Sequence, residues 1–238
     1  MLKAATMLSV IPNPPRIVLP IVGSEDTFPV RRVYCVGRNY GAHAREMGAD
    51  PDREAPFFFL KPADALQAVP YGTLTEHPYP PRTEKYHFEV ELVAALAHGG
   101  RDIPEADALA YVYGYAVGLD MTRRDLQDEA KRMSRPWDMG KGADASGPIG
   151  PLHPVSAIGH PAKGAITLSV DGQQRQSGDL SEMIQSVAEQ IALLSTYFEM
   201  HPGDLIFTGT PSGVGAVSRG ETMTAAIEGL GRIDLKVV

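Results

Sequence analysis

The run Tyr86-His87-Phe88-Glu89-Val90-Glu91-Leu92-Val93-Ala94-Ala95-Leu96 decides how this chain is read. Its residues alternate with period two, the repeat of a β-strand. As one strand it puts Phe88, Val90 and Leu92 on one side and His87, Glu89, Glu91, Val93 and Ala95 on the other. Two carboxylates then share a face. The ordinary explanation of a Glu-x-Glu pair is the wet side of a half-exposed strand. Here the same face turns apolar at Val93 and Ala95, which sets the carboxylates at the mouth of a buried layer, where unpaired charge is costly. A second apolar run, beginning at Gly114, closes on Asp120 in the same manner. Three acidic oxygen donors at the ends of core strands suit a hard divalent cation, Mg2+ or Mn2+, which keeps room in its shell for water or substrate oxygens.

A chain of 238 residues can bury roughly 70% of its unfolded surface without disulfides. The single cysteine, Cys35, lies in the apolar run Val33 to Val36 and reads as a small buried hydrophobe in a reducing compartment. A formal charge of -7 with no long basic run argues against nucleic-acid or anionic-membrane partners. No stretch approaches the length of a membrane span, and the N-terminus lacks a signal-peptide pattern. The expectation is a soluble cytoplasmic protein.

In chain order, the proline-rich first thirty residues offer edge strands at best, with Arg16 to Val22 the plausible one. Arg32 to Val36 reads as a strand, followed by Gly37-Arg38-Asn39-Tyr40 and a short helix-like piece. In that piece His43 and Glu46 are three apart and face the same way, either to share a water or as an ordinary surface pair. Phe57 to Leu60 is an apolar strand ended by Lys61-Pro62, and Pro70 to Arg82 reads as loops. Helix-start chemistry marks Pro104 to Ala110. Thr122 to Arg132 is polar nearly all round and implies a short helix with little to bury. The glycine-rich stretch Ser134 to Gly142 contains Trp137 and Lys141; a mobile cover and an ordinary surface loop both have this composition. Asp171-Gly172 after alternating Ile166, Leu168 and Val170 marks a hairpin. Asp179-Leu-Ser-Glu182 resembles a capping box before a helix with a stripe at Ile184, Val187, Ile191, Leu194 and Phe198. Strands over Leu205 to Thr208, Thr222 to Ile227 and Arg232 to Val238 complete the chain. The loop Gly209 to Gly215 lacks the Gly-Lys-Ser/Thr ending of a P-loop, and no serine-hydrolase elbow or zinc motif occurs.

Six stretches together resemble the fumarylacetoacetate hydrolase family, and within it the acylpyruvase and fumarylpyruvate hydrolase branch. They are Gly37 to Glu46, Phe58 to Pro62, His87 to Glu91, Gly114 to Gln127, Pro136 to Lys141 and Thr208 to Gly213. The resemblance implies a sheet-rich α+β fold, a mixed β roll or sandwich with peripheral helices, assembled as a homodimer. It divides the chain into an arm or edge strands over 1–30 and a single catalytic domain over 31–238. It makes Glu89, Glu91 and Asp120 the metal ligands, His43 and Glu46 a water-activating dyad, and Lys141 a charge-stabilising, base-like lysine. Arg124, Gln127 and Thr210 become substrate contacts. Where the family often has two histidines before the first glutamate, this chain has His87-Phe88, and position 88 faces away from the metal.

The implied reaction is hydrolysis of the C–C bond of an acylpyruvate, a small 2,4-dioxo acid, with fumarylpyruvate the leading candidate. A far carboxylate on that substrate needs a cation, for which Arg38, Arg132 and Arg135 all qualify. The competing readings are decarboxylation of an oxaloacetate-type acid or isomerisation of an unsaturated oxo acid on the same metal, and a non-catalytic metal-binding module.

Overall fold

The computed structural model describes residues 9–41 and 56–238. A mixed eight-stranded sheet carries the site. Its order is Phe57–Lys61, Val33–Gly37, Leu205–Phe207, Val90–Leu96, Val112–Leu119, Gly147–Ile149 and Leu66–Ala68, with His153–Pro154 beside Val112–Leu119. A five-stranded sheet packs against it, in the order Gln173–Asp179, Ala165–Val170, Thr222–Ile227, Gly231–Val237 and Leu74–His77. The helices lie outside these layers, so the chain is sheet-rich α+β.

The alternation at the centre of the chain sorts side chains into two separate cores. Val90, Leu92, Ala94 and Leu96 join Ile166, Leu168, Ala225, Ile233 and Leu235 between the two sheets. Val93 and Ala95 join Val33, Cys35, Phe207, Leu19 and Phe28 on the opposite face. Leu19 and Phe28 come from a two-stranded ribbon, Val18–Pro20 with Thr27–Pro29. Burial pushes the Cys35 thiol up, which leaves it an inert packing residue.

The run 86–96 is not one strand. Tyr86–Phe88 pairs with Thr122–Arg123 and Gly215–Ala216 in a small sheet of its own, and Val90–Leu96 begins the large one. Glu89 stands at the break. The buried backbone still has its partners: Asp120 N–H donates to Glu89 O at 2.9 Å, and the Gln176 side chain accepts from Val90 N–H at 3.0 Å.

Other expectations are also corrected. The stretch 70–82 contains the Leu74–His77 strand, whose four residues pair in parallel with the Gly231–Val237 strand. The Asp179 capping box exists but closes a single turn, Leu180–Glu182; the long helix is Val187–Tyr197, with its own box from Ser186 and Glu189. Ile184 therefore lies ahead of that helix and is 42% exposed. At Asp171-Gly172 the expected hairpin is present, with φ of 47° and 75°.

His77 is fully buried, between Gln67 Oε1 at 2.7 Å and the Tyr86 hydroxyl at 3.0 Å. Burial, helped by the Lys61 charge, lowers its pKa from 6.5 to about 4. The unfolded chain then takes up a proton at higher pH than the folded one, so this contribution is intact above pH 6.5 and is lost as pH falls toward 4. Melting temperature is expected to drop across that window, with a shallower slope in His77→Gln. An identical slope in the variant would remove His77 from the account.

Candidate active site

A cleft opens at the edge of the second core, and its buried floor carries the acidic residues. Glu89, Glu91 and Asp120 are 5%, 1% and 1% exposed, and one carboxylate oxygen from each lies within 4.8 Å of the others. Strand pairing sets this geometry. Val90 stands opposite Leu119 and Glu91 opposite Gly118 in the antiparallel pair, so Asp120 follows directly beside Glu89.

Cations surround the trio. Lys141 Nζ donates to Glu89 Oε2 at 2.7 Å and to Asp120 Oδ2 at 2.6 Å. Arg124 donates to the other Glu89 oxygen and to Gln127 Oε1. Lys61, 2% exposed, has Asp120 Oδ1 at 2.9 Å, Met121 O at 3.1 Å and Ser146 Oγ at 3.0 Å, and it also donates to Lys141 O. Gly209 N–H donates to Glu91 Oε2 at 2.9 Å. That glycine has φ of +97°, and a Cβ there would come within 2.6 Å of Asn39 Cβ. Asn39 in turn donates to Gln185 O and Thr208 O and accepts from Gln185 N–H, which ties the loop after the Val33–Gly37 strand to this corner.

The electrostatics leave the floor short of positive charge at one point. Burial, and then the negative Asp120 and Glu89, push the Glu91 carboxyl well above the usual carboxylate range. For Lys141, burial works against the ammonium, but Asp120 and Glu89 together outweigh it and hold the pKa above its ordinary value. Asp120 Oδ1 is buried and receives no directed hydrogen bond, although Lys61 is close. Three buried carboxylates with an open oxygen fit a hard divalent cation.

Among the described residues the lining consists of Val36, Gly37, Arg38, Phe57, Phe59 and Trp137 together with Glu89, Glu91, Asp120, Arg124, Gln127, Lys131, Lys141 and Thr210. The structure thus gathers Arg38, Glu89, Glu91, Asp120, Arg124, Gln127, Lys141 and Thr210, which sequence reasoning had named from five separate stretches. Arg38 reaches the cleft from a left-handed backbone, φ of 63°, with its guanidinium 5.6 Å from the Phe57 ring centre. Arg132 and Arg135 are exposed and line no part of it. His43 and Glu46 lie outside the described residues. Thr210 spends its hydroxyl hydrogen on Val90 O, at 2.7 Å, while accepting from Gln176 at 2.8 Å. The stretch 134–142 enters the site through Trp137 and through Lys141, which the Asp138–Lys141 turn buries.

Residues 32–238 match the model of the fumarylacetoacetate hydrolase C-terminal family. The chain belongs to this family. Within the fumarylacetoacetate hydrolase family, it is 44% identical over 193 residues to a fumarylpyruvate hydrolase of a Ralstonia species, covering 80% of this chain and 98% of the relative. It is 41% identical over 206 residues to a mitochondrial oxaloacetate tautomerase of Arabidopsis thaliana, covering 87% and 90%. The crystal structure of fumarylpyruvate hydrolase from Pseudomonas aeruginosa in complex with Mn2+ and pyruvate superposes with a TM-score of 0.96 at 58% identity, over 97% of this chain and 99% of that one.

Two cations of the site escaped sequence reasoning, Lys61 buried behind Asp120 and Lys131 in the cleft lining. Lys61 was visible only as the charged end of an apolar strand, on the face shared with Phe57 and Phe59. Lys131 follows Arg124 and Gln127 at helical spacing, and that spacing was the available signal.

Proposed function

We propose that this chain is a metal-dependent hydrolase that cleaves the C–C bond of an acylpyruvate, with fumarylpyruvate going to fumarate and pyruvate. The observation that carries the reading is the buried trio Glu89, Glu91 and Asp120 with Lys141 bridging two of its members. The likeness to the Mn2+- and pyruvate-bound fumarylpyruvate hydrolase supports it.

Glu89, Glu91 and Asp120 would hold Mg2+ or Mn2+, which when bound would supply Lewis-acid stabilisation of negative charge on the substrate. Lys141 stands against that charge as a fixed ammonium and stabilises it as the bond breaks. Arg124 holds Glu89 in place. Gln127 has its carbonyl oxygen engaged by Arg124, so what it offers a substrate is its N–H donors. Thr210 is expected to contribute through its backbone, because its hydroxyl is committed. His43, oriented by Glu46, is the proposed base that takes a proton from the attacking water, a role typically worth ~10²–10⁴-fold. The same reading, resting on the family resemblance, makes the protein a cytoplasmic homodimer serving the breakdown of aromatic compounds. No described helix is long and apolar enough to cross a membrane.

A second reading is tautomerisation of oxaloacetate at this site, favoured by the oxaloacetate tautomerase relative. It needs no attacking water. The deciding assay follows the ultraviolet absorbance of fumarylpyruvate and of oxaloacetate with chelator-stripped protein, before and after Mg2+ or Mn2+ is restored. The expected result is metal-dependent loss of fumarylpyruvate with fumarate and pyruvate in equal amounts, and its near abolition in His43→Ala. Action on oxaloacetate alone, unaffected by that substitution, would transfer the assignment to the tautomerase.

A further inference from the structure

Among the residues lining the cleft, burial divides floor from rim. Glu89, Glu91, Asp120, Arg124, Gln127, Lys141 and Thr210 are buried; Arg38, Phe57, Phe59, Lys131 and Trp137 are only partly so. The Arg124–Arg132 helix runs from one to the other. Its residues 124, 127 and 131 share a face at i, i+3 and i+7, and the rise of 1.5 Å per residue separates Arg124 from Lys131 by about 10 Å along the axis. Arg124 touches Glu89 at the floor. Lys131 stands at the rim, its side chain 28% exposed and its ammonium 5.2 Å from the Trp137 ring centre.

At the floor, Lys61, Lys141 and Arg124 are committed to Asp120 and Glu89, and Glu91 takes the Gly209 N–H. Among the described residues Lys131 has one ion-pair partner at the rim, Asp128 at 4.0 Å, and that aspartate's side chain is 56% exposed. A solvent-facing pair at the limit of contact contributes little. Burial and the nearby Arg124 lower the Lys131 pKa, which is what an ammonium short of anionic partners shows. The Trp137 face holds the ammonium in place without neutralising it.

We infer that Lys131 is a specificity-determining residue that binds the far carboxylate of a substrate whose oxo-acid end lies on the floor. This inference rests on the acylpyruvate reading for the position of that end, and it selects dicarboxylic over monocarboxylic acylpyruvates. The scale agrees. An extended seven-carbon dioxo diacid with bonds of about 1.5 Å places its end carboxyl carbons roughly 7.5 Å apart. That separation falls within the floor-to-rim length of the helix once the lysine side chain reaches inward. Arg38 shares the rim, but its guanidinium lies on Phe57, whereas Lys131 extends from the helix that also braces the metal-ligand end.

The test compares fumarylpyruvate with acetylpyruvate, which keeps the reacting end and lacks the far carboxylate. Lys131→Met retains the stem that packs on Trp137 and loses the charge. It is expected to lower kcat/KM for fumarylpyruvate by roughly 10- to 100-fold, chiefly through KM, to leave acetylpyruvate within about twofold, and to be rescued in large part by Lys131→Arg. Equal losses on both substrates, or none on fumarylpyruvate, overturn the inference. Binding to the Mn2+-loaded protein separates this question from turnover. Wild type is expected to bind 2-oxoadipate more tightly than 2-oxohexanoate, and Lys131→Met to erase the difference. If wild type cleaves neither acylpyruvate but that pattern holds, Lys131 keeps its role and the hydrolase reading falls. If Lys131→Met retains the preference, the inference falls.

Discussion

Glu91→Gln is expected to make the metal-free protein more stable and the metal-dependent enzyme nearly inactive. Glu91 is buried beside two other carboxylates, and burial and those neighbours push its pKa well up. Glutamine keeps an oxygen for the Gly209 N–H and offers N–H donors to the adjacent carboxylates in place of repulsion. Replacing an unfavourable buried charge by a neutral group of the same shape stabilises by about 1–3 kcal/mol, or roughly 2–4 °C in Tm per kcal/mol at this size. At the proposed metal site the same change removes one of three charged ligands. Since even outer residues that orient a ligand are worth 10–100-fold in metal affinity, a loss of at least ~100-fold is expected. Calorimetry of chelated protein and a Mn2+ titration check the two halves. A variant that binds Mn2+ like wild type, or melts lower without it, would show that the trio is held together for some other reason.

Lys61→Met is expected to be among the most destabilising single changes in the protein. The ammonium is wholly buried and answers Asp120 while filling acceptors from three further groups. Methionine fills much of the volume but leaves Asp120 Oδ1 without its counter-charge. Removing one partner of a buried pair typically costs 3–5 kcal/mol, against a total stability of about 5–15 kcal/mol. The urea midpoint should fall accordingly. A double-mutant cycle identifies the cause: in an Asp120→Asn background the penalty should shrink, because the stranded charge is gone. Additive losses would mean that Lys61 acts only through packing.

These two residues also mark how far the sequence could be read. Glu91 was legible because β-geometry forces residues two apart onto one face, and Val93 and Ala95 announced that this face was buried. The break at Glu89 was not legible, since nothing within 86–96 says that Tyr86–Phe88 pairs with the remote Gly215–Ala216 segment. Lys61 was invisible as a site residue for a similar reason. A buried lysine is tolerated only with partners, and those partners, Asp120, Met121, Lys141 and Ser146, come from distant stretches of chain. The second capping box, Ser186 with Glu189, had a readable spacing but was masked by the Asp179 box seven residues earlier. Arg124, Gln127 and Lys131 had helical spacing in view. Only the placement of the helix along the cleft turns a polar face into a functional one.

The Val90–Leu96 and Val112–Leu119 strands, which set the carboxylate trio, are neighbours in one hairpin-like pair at the centre of the sheet. The rim has no such unity: Arg38 comes from a loop, Phe57 from an edge strand, Lys131 from the end of a helix and Trp137 from a turn. Mutations in those separate segments can accumulate independently, without disturbing the pairing that spaces the carboxylates. A lineage built on this plan can change what it accepts while conserving how it activates it, and a protein engineer seeking a new acyl group should leave the central pair alone and vary the rim.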